Sequence, residues 1–235
     1  PEDARVRCRV VARGASLEGW LAASVAPATL EATVLRVADV RPADVLQASV
    51  LKLEPAGAEV SLGENVRGFI AHQHLGDTAK HAASKALLAK RAAQFKVGAR
   101  VACRALVVDT VRNRVVLTAK QALVRDREPP LCSYTDASAR AAASRGRRAV
   151  HAESVVTGFV TRVDAAIGVI VTFYANVHGL VPAKALAKLH RGDKAARATG
   201  EPPLLSAREL ASAYEMGQVV KCVIVKCDAE RSPPR

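Results

Sequence analysis

Hydrophobic and polar residues alternate along several short stretches of the chain. Between Val45 and Leu53 the polar residues Gln47, Ser49 and Lys52 interrupt an otherwise apolar run. A two-residue period is typical of a strand that buries one face. A turn is predicted over 54–57, and the same pattern predicts four further strands at 58–62, 66–71, 98–108 and 114–119.

A helix is predicted between the third and fourth of these strands, because residues 79–94 are rich in Ala, Lys and Leu. Five strands with a helix in this position follow the order of an OB-fold barrel. The predicted fold class is therefore all-β, with short helical inserts.

The chain repeats itself, and the repetition predicts its organisation. Residues 95–109, FKVGARVACRALVVD, align without a gap to residues 214–228, YEMGQVVKCVIVKCD. Three matching blocks in one order predict two copies of the barrel in tandem. The other two matches pair 65–70 with 176–181 and 50–62 with 160–173, the last copy having one extra residue in the turn before Gly168.

A third, partial copy is predicted at the front, where residues 7–10 resemble residues 102–105. The chain starts at Pro1 without an initiator Met, and we expect it to be a piece of a longer protein. Pro233 and Pro234 stand where the last copy's final strand should run, and proline cannot sit inside a strand ladder. The predicted division is the C-terminal strands of a preceding repeat (1–26), a linker (27–43), a complete repeat (44–122), a flexible basic linker (123–152) and a repeat lacking its last strand (153–235).

Charge narrows the class of partner. Lys and Arg number 35 against 22 Asp and Glu, which gives a net charge of +13. Such a surplus attracts polyanions, and nucleic acid is the first expectation. No apolar run approaches the roughly 18 residues that a membrane span requires, so a membrane partner is not expected.

Metal, disulfide and catalytic chemistry have little support in the sequence. The chain has five cysteines and no CxxC pair, which predicts reduced thiols and no zinc site. Local motifs suggest neither a nucleophile with its base nor a phosphate loop. We therefore expect no enzyme activity, no cofactor and no small-molecule substrate.

Two segments resemble the S1 family of RNA-binding domains. Residues 179–182, GLVP, are similar to the third strand of S1 domains, and residues 214–222 to the entry of their fourth strand. More narrowly, residues 168–182 resemble a repeat of the large nucleolar rRNA processing factors that carry many S1 repeats, and residues 131–137 resemble the segment that joins two of those repeats. The resemblance runs from residue 6 to 228 and implies tandem S1-type OB-fold barrels.

The resemblance also implies a function. Proteins of this class are non-catalytic factors of ribosome biogenesis, so it implies nucleolar S1 repeats that bind pre-ribosomal RNA and act as a scaffold, with other assembly factors, in small-subunit precursor assembly and rRNA processing. Two alternatives stay open: repeats used mainly for protein–protein scaffolding, and a translation-type ribosomal S1-like protein. The Ala-rich segment 79–94 and the GLVP form of the third strand disfavour the last.

The family's base-stacking positions have lost their usual residues. S1 domains place aromatic residues around the second strand and a His on the third. The corresponding residues are Ala56, Glu59 and Ala71 in the complete repeat, and Ile167, Ile170 and Pro182 in the last one. Stacking contributes about 1–3 kcal/mol per base, so base-directed affinity is expected to be weak.

Charge then becomes the expected source of RNA affinity, through phosphate contacts that do not read sequence. The family's Asp and Arg near the fifth strand persist as Asp109 and Arg114. Phe95, Phe173 and Tyr214 are predicted core residues. The candidate RNA-binding residues are Lys52, Arg67, Arg100, Arg104, Asp109, Arg112, Arg114, Arg162, Tyr174, His178, Lys184 and Lys221.

Overall fold

A computed structural model describes residues 5–13, 21–31, 34–63, 66–77, 94–144, 155–190 and 204–227. At the front, β1 (Arg9–Arg13) pairs antiparallel with β2 (Leu21–Ser24), and the short helix α1 (Pro27–Glu31) follows. This hairpin lies where the sequence predicts the last strands of a preceding repeat.

Five strands then form a closed barrel, as the alternation predicts. Its core is aliphatic, with Val50, Val60, Ile70 and Leu117 all fully buried. The order around the barrel is β3-β4-β5-β7-β6, with β5 and β7 parallel and the other neighbours antiparallel. The strands are β3 (Val45–Glu54), β4 (Gly57–Ser61), β5 (Arg67–Ala71), β6 (Arg100–Asp109) and β7 (Arg114–Thr118). The helix predicted at 79–94 lies outside the described residues except for its last position.

The segment between the repeats differs from its prediction as a flexible linker. It contains the helices α2 (Gln121–Val124) and α3 (Tyr134–Ser144). Ala137 and Ala141, one turn apart on α3, are buried, because small side chains at that spacing let the helix pack closely. The arginine cluster at 145–148 lies outside the described residues.

The second repeat forms a four-stranded sheet in the order β10-β9-β8-β11. These strands are β8 (Val155–Asp164), β9 (Gly168–Thr172), β10 (His178–Pro182) and β11 (Val219–Val223). Residues 183–190 and α4 (Ala207–Ala213) are helical between β10 and β11. No helix in the described ranges is long and apolar enough to cross a membrane.

The two repeats share backbone details that the alignment predicts. Gly98 donates to the Val50 carbonyl at 2.8 Å, and Gly217 donates to the Val160 carbonyl at 2.7 Å. Both glycines have positive φ, at 84° and 81°, a conformation that favours glycine. The extra residue also falls as predicted, because Glu54 pairs with Gly57 across one hairpin and Asp164 with Gly168 across the other.

The second sheet is open on one side within the part of the chain that the structure describes. A cavity of about 530 Å³, lined largely by apolar residues, lies between β10 and β11. In the complete repeat β7 fills the equivalent space and buries Val115 and Leu117 there. Residues 228–235, predicted to lack a normal fifth strand, lie outside the described residues.

Candidate nucleic-acid interface

A polar cavity of about 330 Å³ opens on the closed barrel where β4, β5 and the β6–β7 turn meet. Strands in this position form the nucleic-acid face of OB-folds. The cavity brings together three of the predicted arginines and two carboxylates around one aromatic ring. Its lining includes Glu54, Glu59, Arg67, Phe69, Arg112 and Arg114.

Phe69 is a candidate site residue that the sequence analysis did not predict. Its neighbours Gly68 and Ile70 are buried in the barrel, so strand alternation turns Phe69 to the outer face. The guanidinium carbon of Arg114 lies 5.1 Å from the centroid of the Phe69 ring, within the range of a cation–π interaction. The sequence contained one indication of this role: Phe69 is an aromatic residue at an outward-facing position of β5, two residues before Ala71, where S1 domains place a His.

Two ion pairs border the ring. Arg67 Nη1 lies 3.0 Å from Glu59 Oε1, and Lys52 Nζ lies 2.6 Å from Glu54 Oε1. The hydrogen bond to Glu54 raises the pKa of Lys52. Both pairs are largely exposed, and such pairs contribute about 0–1 kcal/mol, so an incoming ligand can replace them.

Asp109 shapes the turn beside the cavity. Its carboxylate accepts the backbone N–H of Arg112 at 2.9 Å, and Asn113 completes the turn with a φ of 51°. Asn tolerates this left-handed conformation better than most residues. The turn presents Arg112 and Arg114 at the cavity, so Asp109 positions the two cations.

The remaining exposed candidates do not join this group. Arg100 lies at the start of β6, and Lys184 is exposed at the start of the helical residues 183–190. Arg162 pairs with Asp164 at 3.3 Å, and Lys221 pairs with Glu128 at 3.1 Å. The second repeat therefore spreads its positive charge over separate places.

The second repeat also has a different face. Leu180 pairs across the strands with Ile170, where the closed barrel pairs Phe69 with Glu59. His178 takes the place of Arg67, and its ring Nδ1 lies 2.8 Å from the Thr172 hydroxyl. This face is aliphatic, so it offers RNA little beyond the candidate His178.

Arg104 corrects the sequence prediction. It was expected to contact RNA, but it is only 7% exposed. Its Nε donates to the carbonyl of Ala43 at 2.8 Å, and its Nη1 donates to the carbonyls of Leu123 and Asp126 at 2.9 and 3.2 Å. A buried guanidinium that donates three hydrogen bonds to backbone carbonyls is a structural group, because little of it is accessible to RNA.

Tyr174 is a second correction, for the same reason. It is 2% exposed, and its ring lies under the guanidinium of Arg104, with 5.0 Å from Cζ to the ring centroid. Burial raises the pKa of Tyr174 to about 12. Because Arg104 belongs to the closed barrel and Tyr174 to the second repeat, their contact joins the two repeats.

This contact between the repeats is extensive. The ring of His74 meets Phe159 edge-on at a centroid distance of 4.6 Å, and Leu106 and Leu123 pack in the same cluster. Burial, and secondarily the charge of Lys120, lowers the pKa of His74 to about 4. We call this set of contacts, centred on Arg104 and Tyr174, the inter-repeat interface.

The predicted core aromatics lie in the interiors of the repeats, but of the cysteines, which were expected to be buried, only Cys103 is fully buried and Cys8 is exposed. Phe95 and Phe173 are buried, whereas Tyr214 is half-buried and its hydroxyl lies 3.2 Å from His190 Nε2. The described cysteines are free thiols, and burial raises the pKa of Cys103 to about 12. Among the described residues, no group of three or more His, Cys, Asp or Glu is placed to hold a metal ion.

Comparison with known proteins matches residues 39–120 to the S1 RNA binding domain. The chain is 27% identical over 225 residues to the human "Protein RRP5 homolog", covering 96% of this chain and 10% of that protein. It is 27% identical over 201 residues to "rRNA biogenesis protein rrp5" of Schizosaccharomyces pombe, covering 86% of this chain and 10% of that protein. The chain thus spans about a tenth of the length of these relatives.

Among solved structures, the solution structure of GSP13 from Bacillus subtilis matches 40% of this chain and 65% of its own, with 20% identity and a TM-score of 0.30. The match to the S1 RNA binding domain contains all five strands of the closed barrel. Residues 39–120 thus match the S1 RNA binding domain, and the chain is similar to the RRP5 proteins over most of its length.

Proposed function

We propose that this chain is part of a non-catalytic ribosome biogenesis factor and binds pre-ribosomal RNA through the polar cavity on its closed barrel. The convergence of Arg67, Arg112 and Arg114 around Phe69 carries this proposal. Guanidinium groups bind phosphate oxygens, and an exposed aromatic ring stacks on unpaired bases. The match to the S1 RNA binding domain and the similarity to the RRP5 proteins, one of them named as an rRNA biogenesis protein, support it.

The proposal extends to location and role. The segment works in the nucleolus, where its repeats act as a scaffold beside other assembly factors during small-subunit precursor assembly and rRNA processing. The inter-repeat interface supports a scaffold role, because it holds the two repeats in one arrangement. Crosslinking of the full-length protein to RNA inside cells, with sites mapped to individual repeats, tests this part. Crosslinks to the closed barrel are expected at precursor rRNA; their absence from this barrel would contradict it.

The cavity itself is tested by titrating a fluorescent single-stranded RNA with the full chain at several salt concentrations. Each neutralised phosphate of a single strand contributes a slope of about −0.7 to the plot of log K against log salt. Three arginines thus predict a slope contribution of about −2, or roughly a fifteen-fold loss of affinity between 50 and 200 mM salt. Replacing Arg67, Arg112 and Arg114 together by Ala should remove that contribution.

A matched control replaces three exposed cations outside the cavity, Arg100, Arg162 and Lys221, by Ala. This variant loses the same net charge, and we expect its salt slope to stay within about one phosphate contact of the wild-type value. Equal losses in the two triple variants would mean that the cavity is not a site and that only net charge matters.

A second candidate function is protein–protein scaffolding without RNA. The observation that favours it is the aliphatic face of the second repeat, where Ile167 and Leu180 are 48% and 46% exposed. Absence of RNA binding at low salt would favour this candidate over the first.

A further inference from the structure

We infer that the cavity on the closed barrel selects an unpaired guanine, which stacks on the Arg114–Phe69 pair while the Glu59 carboxylate reads its edge. This inference rests on the proposed RNA binding and names the base that the same site prefers. It follows from three features: a stacking surface, an acceptor beside it and cations at the rim.

The stacking surface is already assembled. Arg114 lies over the Phe69 ring at 5.1 Å, and Phe69 is held on the rigid ladder between β4 and β7. Bases stack both on aromatic rings and on guanidinium planes. A base that enters the cavity can therefore stack on a flat surface formed by the Arg114 guanidinium and the Phe69 ring, which hold each other in place.

The acceptor is Glu59, the cross-strand neighbour of Phe69. Directly paired residues of an antiparallel ladder share one face, with Cβ atoms about 5 Å apart, so this carboxylate lies beside the stacking surface. An ionised carboxylate only accepts hydrogen bonds. Guanine alone among the four RNA bases carries an imino and an amino donor side by side, at N1 and N2, which both oxygens of one carboxylate can accept together.

Neighbouring positive charges reduce the repulsion between this carboxylate and the RNA phosphates. Arg67 pairs with Glu59 at 3.0 Å, and Lys52 pairs with Glu54, so both carboxylates are balanced before RNA arrives. The Arg67 side chain is 72% exposed, and such an ion pair is readily exchanged for a phosphate. Binding thus moves Arg67 toward the backbone of the RNA and frees Glu59 for the base.

The second repeat provides an internal contrast. Its matching positions hold Ile170 and Leu180, which offer neither an acceptor nor a cation–π surface. Guanine selection is therefore assigned to the closed barrel alone among the described strands.

The test measures binding of the full chain to four fluorescent RNA octamers at low salt: all-uridine, and uridine with one central G, A or C. We expect the G-containing RNA to bind about tenfold more tightly than the other three, the size of a good two-donor base contact. Glu59→Gln should bring the four affinities within about threefold of one another, because an amide cannot accept from both donors. Glu54→Gln, with the same charge change in the same cavity, should keep the preference.

Equal wild-type affinities for the four octamers would overturn guanine selection while leaving RNA binding intact. A preference for guanine that survives Glu59→Gln would overturn the role of Glu59. No binding to any octamer at low salt would overturn the proposed function and this inference with it. Both carboxylates are on the surface, and circular dichroism with thermal unfolding checks that each variant keeps the fold.

Discussion

Replacing Arg104 tests whether this residue stabilises the fold or contacts RNA. Arg104→Ala leaves three backbone carbonyls without their donor and exposes the face of Tyr174. Each hydrogen bond from a charged donor contributes about 1.5–3 kcal/mol. These contributions are not additive, and each buried carbonyl left without a donor costs about 1–3 kcal/mol, so the three together should cost about 3–5 kcal/mol. We expect that loss in the free energy of unfolding.

Urea unfolding of the full chain measures this loss, with Arg104→Lys as the matched variant. Lysine keeps the charge but lacks the planar fork, so its loss should be smaller, about 2 kcal/mol. A double-mutant cycle with Tyr174→Ala should give a coupling of about 1–2 kcal/mol, the size of a buried cation–π contact. An Arg104→Ala protein of wild-type stability whose RNA salt slope falls by about 0.7 would refute the reasoning and restore a phosphate contact.

Two further predictions concern the same interface. Tyr174→Phe should cost no more than about 1 kcal/mol, because it keeps the buried ring beneath Arg104 and removes only the hydroxyl. Tyr174→Ala should cost about 3–5 kcal/mol in urea unfolding, and equal losses in both variants would contradict this. The pKa of His74 falls from 6.5 unfolded to about 4 folded, so the unfolded chain binds the proton first and stability should drop as the pH falls from about 6.5 to 4, by about 1.4 kcal/mol per pH unit. His74→Gln should flatten the pH dependence in that window, and an unchanged profile would show that other groups cause it.

The strands of both repeats were predictable because the signals are local. Period-two alternation and the gapless match of 95–109 with 214–228 depend only on neighbouring residues. The structure has strands at the predicted places, although β11 ends at Val223 whereas its counterpart β6 runs to Asp109. Gly98 and Gly217 were aligned by sequence, and both adopt the same positive φ. A backbone conformation that favours glycine can therefore be predicted from a single sequence when glycine occurs at the same position of both repeats.

The inter-repeat interface was not predictable, because it depends on how two folded units meet. In the sequence, Arg104 resembles an exposed cation on a strand. In the folded chain, Tyr174 and the end of α2 cover it. The Ala- and Ser-rich linker suggested flexibility, since composition does not reveal that α3 has a surface to pack on. Phe69 was not predicted because it is not one of the S1 stacking positions; it lies two residues before one of them, Ala71, on the same face of β5.

The inter-repeat interface also decides how the chain can be divided. A cut between the repeats would expose Leu106, Leu123 and Phe159 to water and strip Arg104 of its aromatic partner. Such newly bared apolar surface promotes aggregation. The smallest unit that can be excised, exchanged or duplicated intact is therefore the pair of repeats with its connecting helices, and a change in the length of α2 or α3 would disturb both repeats at once.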